Sequence, residues 1–162
     1  MAAVNSRRVL LGALAGGVVW NIWSIFINLA ITGPRTQAAQ EAGYFLKQPR
    51  YPMGLFIGTW IVTLFVLSYI VAWLYASVRT SRGAGAGTAL VIGILVGFAA
   101  GFPSNYAMST WGTFSRFFPF WWTMELGGGA VLAALVAGFL YKDAAAGAGN
   151  LRQPMMAEKT AR

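Results

Sequence analysis

GAGTALVIGILVGFAAGFPSNYAMS, residues Gly85 to Ser109, decides the fold. Every fourth residue is small or polar: Gly85, Ala89, Gly93, Gly97, Gly101, Asn105 and Ser109. Between them lie Leu90, Val91, Ile92, Ile94, Leu95, Val96 and Phe98. A step of four stays near one face of an α-helix. The pattern predicts an apolar helix with one bare edge, along which another backbone approaches closely. Each interior glycine costs about 1 kcal/mol against alanine in a helix, so three in register are expected to be repaid by packing. The edge closes on an amide, Asn105, just past Pro103, which cannot donate to the carbonyl of Ala99.

The composition says what such a helix is dissolved in. The 162 residues are 57% hydrophobic, 15% aromatic and only 10% charged, with a mean hydropathy of +0.60. A soluble domain carries about a quarter charged residues. Cysteine and histidine are both absent, which removes disulfides, thiolate and imidazole metal ligands, and the commonest acid–base residue near neutral pH. The acidic residues are Glu41, Glu125, Asp143 and Glu158. Most familiar catalytic constellations cannot be assembled from these, so a non-enzymatic protein without metal or cofactor is expected, with an intramembrane enzyme the least favoured reading. The formal charge of +8 sits singly or in pairs between apolar runs. That distribution marks topology and not a nucleic-acid face.

Four uncharged runs of spanning length follow, about 9–31, 53–78, 88–108 and 118–141. The expected fold is an all-α integral membrane four-helix bundle in one domain, 1–142, followed by a disordered tail, 143–162. Arg7-Arg8 followed by leucines resembles an export signal, but the run is long and holds Trp20 and Trp23, so a retained helix is expected. Gly33-Pro34 is expected to stop the first span. Thr36 then caps a short helix on the membrane surface, with Tyr44, Phe45 and Tyr51 at headgroup depth. Eight Lys and Arg flank one side of the spans (Arg7, Arg8, Arg79, Arg82, Lys142, Arg152, Lys159, Arg162) against Arg35, Lys47, Arg50 and Arg116 on the other. The imbalance places both termini in the cytoplasm. With the Ala- and Gly-rich composition, it points to a bacterial inner membrane.

Polar side chains inside the spans are the candidate site. Gly17, Asn21, Ser24 and Asn28 share one face of the first helix. Asn105 stands near the outer end of the third. Glu125 is the only acidic residue within a span, six residues past Pro119 and so about 9 Å along the axis. Buried carboxyls in membranes are functional by default. The competing reading makes Glu125 a structural lock, hydrogen-bonded to Asn105 or ion-paired with Arg116, and makes the asparagines interhelical glue. Glu125, Gly129, Ala133 and Ala137 form a second small ridge, expected to meet the Gly93, Gly97, Gly101 edge and bring Asn105 to Glu125. Gly127 to Gly129 are expected to soften the fourth helix. Seams this tight leave little room for a cavity within one chain.

At Gly101 to Tyr106 and Trp121 to Gly129 the chain resembles small bacterial four-helix integral membrane proteins of unknown function. The resemblance spans about Arg8 to Lys142 and implies the architecture without an activity. Two functions are carried forward. The first is a structural or accessory subunit packing against lipid, other integral membrane proteins or further copies of itself, with lipid or pigment binding as a variant. The second is a small oligomeric transporter or ion- or proton-coupled carrier built on Glu125, Asn105 and Asn28.

Overall fold

The computed structural model describes residues 4–141, and among these every regular element is helical. They are α1 (Ser6–Phe26), a π-helical turn (Ile27–Thr32), α2 (Gly33–Glu41), α3 (Met53–Arg82), α4 (Ala86–Trp111) and α5 (Phe117–Leu140). Four helical runs, Ser6–Glu41, Met53–Arg82, Ala86–Trp111 and Phe117–Leu140, are long and apolar enough to cross a membrane. The tail expected at 143–162 lies outside the described residues.

The first run differs from expectation. Gly33-Pro34 does not end it, and no separate surface helix follows. Proline lacks the N–H that an α-helix needs and crowds the carbonyl four residues back. Here the helix widens by one residue instead, so that the Gly33 N–H reaches the Asn28 carbonyl across Ile27–Thr32. Pro34 then occupies the first turn of α2, where its missing donor costs nothing. Thr36 does not cap; its hydroxyl donates to the Thr32 carbonyl at 2.8 Å. The result is one 36-residue rod, about 54 Å long and well beyond a 30 Å hydrocarbon layer.

α5 is the hub. It packs against α1, α3 and α4, whereas α1 and α4 do not meet. The two seams use separate faces of α5, about 110° apart, and this corrects the expected pairing of ridges. The edge of α4 faces Gly127, Ala130, Val131 and Ala134: a Cβ on Gly93 would stand 2.6 Å from Val131 Cα, and one on Gly97 2.6 Å from Gly127 Cα. The ridge Gly129, Ala133, Ala137 faces α1 instead. Gly12 lies against Ala137, Gly16 against Ala133, and the Trp20 indole against Gly129. Four residues forward along α1 is four residues back along α5, the signature of an antiparallel pair.

Gly128 and Gly129 seat Trp23 and Trp20, whereas a Cβ on Gly127 would meet open space. All three lie within the continuous helix α5.

α3 covers only half of this core. Its buried residues are Leu64, Ser68, Val71, Ala72, Tyr75 and Ala76, and the Ser68 hydroxyl donates to the Ala13 carbonyl at 2.9 Å. This end is tightly closed. Tyr75 OH accepts the Gly85 N–H at 3.1 Å, Tyr141 OH accepts the Asn5 N–H at 3.0 Å, and Arg79 donates to the Tyr141 carbonyl at 3.4 Å. The α3–α4 turn needs glycine, with φ of 89° at Gly83 and 136° at Gly85. From Met53 to Thr63, by contrast, α3 buries nothing, and Gly54 and Gly58 face open space. The bundle has a narrow end and a wide end.

Candidate functional site

The wide end contains a cleft of about 1030 Å³ between all four long helices. The expectation that one chain leaves little room for a cavity is thus corrected: the small-residue seams tighten α1, α4 and α5, while the outlying half of α3 stands off from them.

Glu125 lies in the cleft wall, only 2% exposed. The register that sets Trp20 on Gly129 carries Ser24 to Glu125 one turn later. The Ser24 hydroxyl donates to Glu125 Oε1, and the Asn28 amide donates to the same oxygen at 3.1 Å. Each donor is itself held. The Trp60 indole N–H donates to Ser24 Oγ at 3.2 Å, and the Thr32 hydroxyl donates to Asn28 Oδ1 at 3.4 Å. Two donor chains, one from α3 and one from the π-turn, therefore converge on a single carboxyl oxygen. Successive donors in such chains polarise one another.

The second carboxyl oxygen is treated differently. Among the described residues only the Trp20 indole nitrogen is both fully shut away and unbonded. Ser24 and Asn28 both bond Oε1 and not Oε2, the Trp60 indole also bears on the carboxyl, and Glu125 lines the cleft. Asn105 lines it too; the residue is 8% exposed and its amide bonds to no described side chain or backbone group.

The remaining candidates fall as follows. Asn21 lines the cleft but spends one amide proton on the Gly17 carbonyl at 2.8 Å. Asn105 does not pair with Glu125, although both face the same space. The α4–α5 register that sets Gly97 at Gly127 puts Asn105 level with Pro119, six residues or about 9 Å from Glu125 along the axis. Arg116 is exposed at the start of α5 and forms no ion pair with Glu125. Sequence reasoning missed Trp60 and Thr32. The signal for Trp60 was its place: an indole N–H two turns inside α3, too deep for an interfacial belt.

A hydrophobic lid finishes the site. Phe45, in the connection after α2, packs edge-on against Phe118 with centroids 4.8 Å apart, and also contacts Phe114 and Trp122. Arg35 lies 3.9 Å over the Phe117 ring. Comparison with known proteins finds no matching family model, no similar curated protein and no similar solved structure.

Proposed function

We propose that the protein is a non-enzymatic, multi-pass accessory protein of a bacterial inner membrane that holds an amphipathic, lipid-like ligand. In this reading both termini are cytoplasmic and the cleft opens in the outer half of the bilayer. The observation that carries it is the cleft itself. At about 1030 Å³ it is at the upper end of small-molecule sites, about 300–1,000 Å³. Apolar helix faces wall it, and it offers two polar groups, the Glu125 carboxyl and the Asn105 amide, to an occupant. One carboxyl held by a hydroxyl and an amide orients a ligand; it is not a catalytic set.

Native mass spectrometry after extraction in a mild nonionic detergent tests the reading. One amphiphile bound per chain is expected, and it is expected to be lost in Ala100→Trp, which fills the cleft from the α4 wall. A bare chain, or an adduct indifferent to Ala100→Trp, counts against it. The lone carboxyl facing the cleft also favours a second reading, a carrier. That reading requires flux in liposomes that disappears in Glu125→Gln.

A further inference from the structure

The ligand-cleft reading leaves the chemistry of the occupant open, and the charges around the cleft narrow it. Glu125 is the only ionisable residue among those lining the space. The basic residues nearest in sequence are engaged or turned away: Arg35 lies on the Phe117 ring and Arg116 is exposed. A buried carboxyl inside a membrane protein is ionised only against a countercharge and is otherwise protonated, and no described lysine or arginine supplies that charge, so it falls to the occupant. Four aromatic side chains, Phe45, Phe56, Trp60 and Trp122, line the same cleft. Aromatic faces attract a desolvated cation by about 2 kcal/mol or more and offer nothing comparable to an anion.

We infer that the cleft is a site for an organic monocation with an apolar body, of the alkylammonium class. This inference rests on the ligand-cleft reading. The ammonium head sits at Glu125 Oε2, the oxygen to which neither Ser24 nor Asn28 donates, and the Asn105 carbonyl oxygen offers a further acceptor nearer the mouth. The apolar body lies along the inner faces of α1 and α3. An anionic head finds no cation in the cleft and repels the carboxyl in its ionised form. A neutral alcohol hydrogen-bonds to the carboxyl but, unlike an ammonium, gains no ion pair with it.

Three probes with the same tail separate these heads: dodecylamine, dodecanol and laurate, each titrated against the full chain in nonionic detergent and counted by native mass spectrometry. One dodecylamine is expected per chain, bound at least about tenfold tighter than dodecanol, with laurate weaker still. Glu125→Gln keeps a carbonyl oxygen for Ser24 and Asn28, and is expected to abolish the preference for the amine while leaving dodecanol within about twofold. Should that variant fail to fold, Ser104→Lys places a cation on the α4 wall of the cleft without touching Glu125. It is expected to invert the order, with laurate above the amine. Equal binding of amine and alcohol, or an amine preference that survives in the variant that folds, overturns the inference and leaves the ligand-cleft reading intact. No saturable binding of any of the three to the unaltered chain overturns both.

Discussion

At Gly129 a single hydrogen stands where any other residue would drive a carbon into the Trp20 indole. Trp20 is fully buried and its N–H has no partner. Leaving such a donor unmade costs about 1–3 kcal/mol, so contact with the glycine notch must outweigh it. Gly129→Ala is therefore expected to lower stability by about 1–3 kcal/mol, the range for overpacking a rigid site. Gly58→Ala, which meets open space, is expected to change it by under about 1 kcal/mol. Thermal unfolding of both in one detergent checks the contrast, and equal melting would show that the notch is not tight. At this scale the sequence is partly legible. Ser24, Asn28 and Glu125 stand out because a polar atom in an apolar run must find a partner. Which partner it finds depends on the axial register between helices, and that lies in no single residue. Asn105 is the instructive case: buried as its four-residue spacing requires, yet about 9 Å along the axis from the carboxyl it is expected to meet.

The π-turn governs the longest element. One extra residue between Ile27 and Thr32 lets the chain carry Gly33-Pro34 without breaking. A π-turn amounts to a single insertion in an α-helix. Deleting exposed Leu29 (74% exposed) should restore α phase and keep both flanking segments facing as they do. Deleting Val18, also exposed at 50%, rotates everything beyond it by about 100° and strips Trp20 and Ser24 from α5. The Leu29 deletion is expected to yield folded protein in detergent, and the Val18 deletion to aggregate; size-exclusion profiles distinguish them. Helix limits elsewhere are legible because hydropathy and length decide them. The Gly33-Pro34 junction is not, since local propensity argues for a stop and only tertiary packing of Ile27 and Thr32, both buried, explains the continuation.

For the whole molecule, four apolar helices set the architecture, and that follows from composition alone. The division into a narrow and a wide end does not. It arises because small residues on α1, α4 and α5 run the length of their seams, whereas the buried residues of α3 begin at Leu64 and only Trp60 reaches the core before it. Membrane orientation is testable directly, because the chain has no native cysteine. In intact cells a membrane-impermeant maleimide is expected to label Gln48→Cys, and to label Ser81→Cys only after permeabilisation; the reverse pattern would invert the proposed topology. The half-gripped α3 has a mechanical consequence. With the Ser68–Ala13 hydrogen bond as a fulcrum and only Trp60 tying α3 beyond it, Met53 stands about 22 Å away along the axis, so a tilt of about 10° moves that tip by about 4 Å. Small changes of fit in the clamped half are thereby magnified at the mouth. The aperture of the cleft is set by side chains that never touch what enters it.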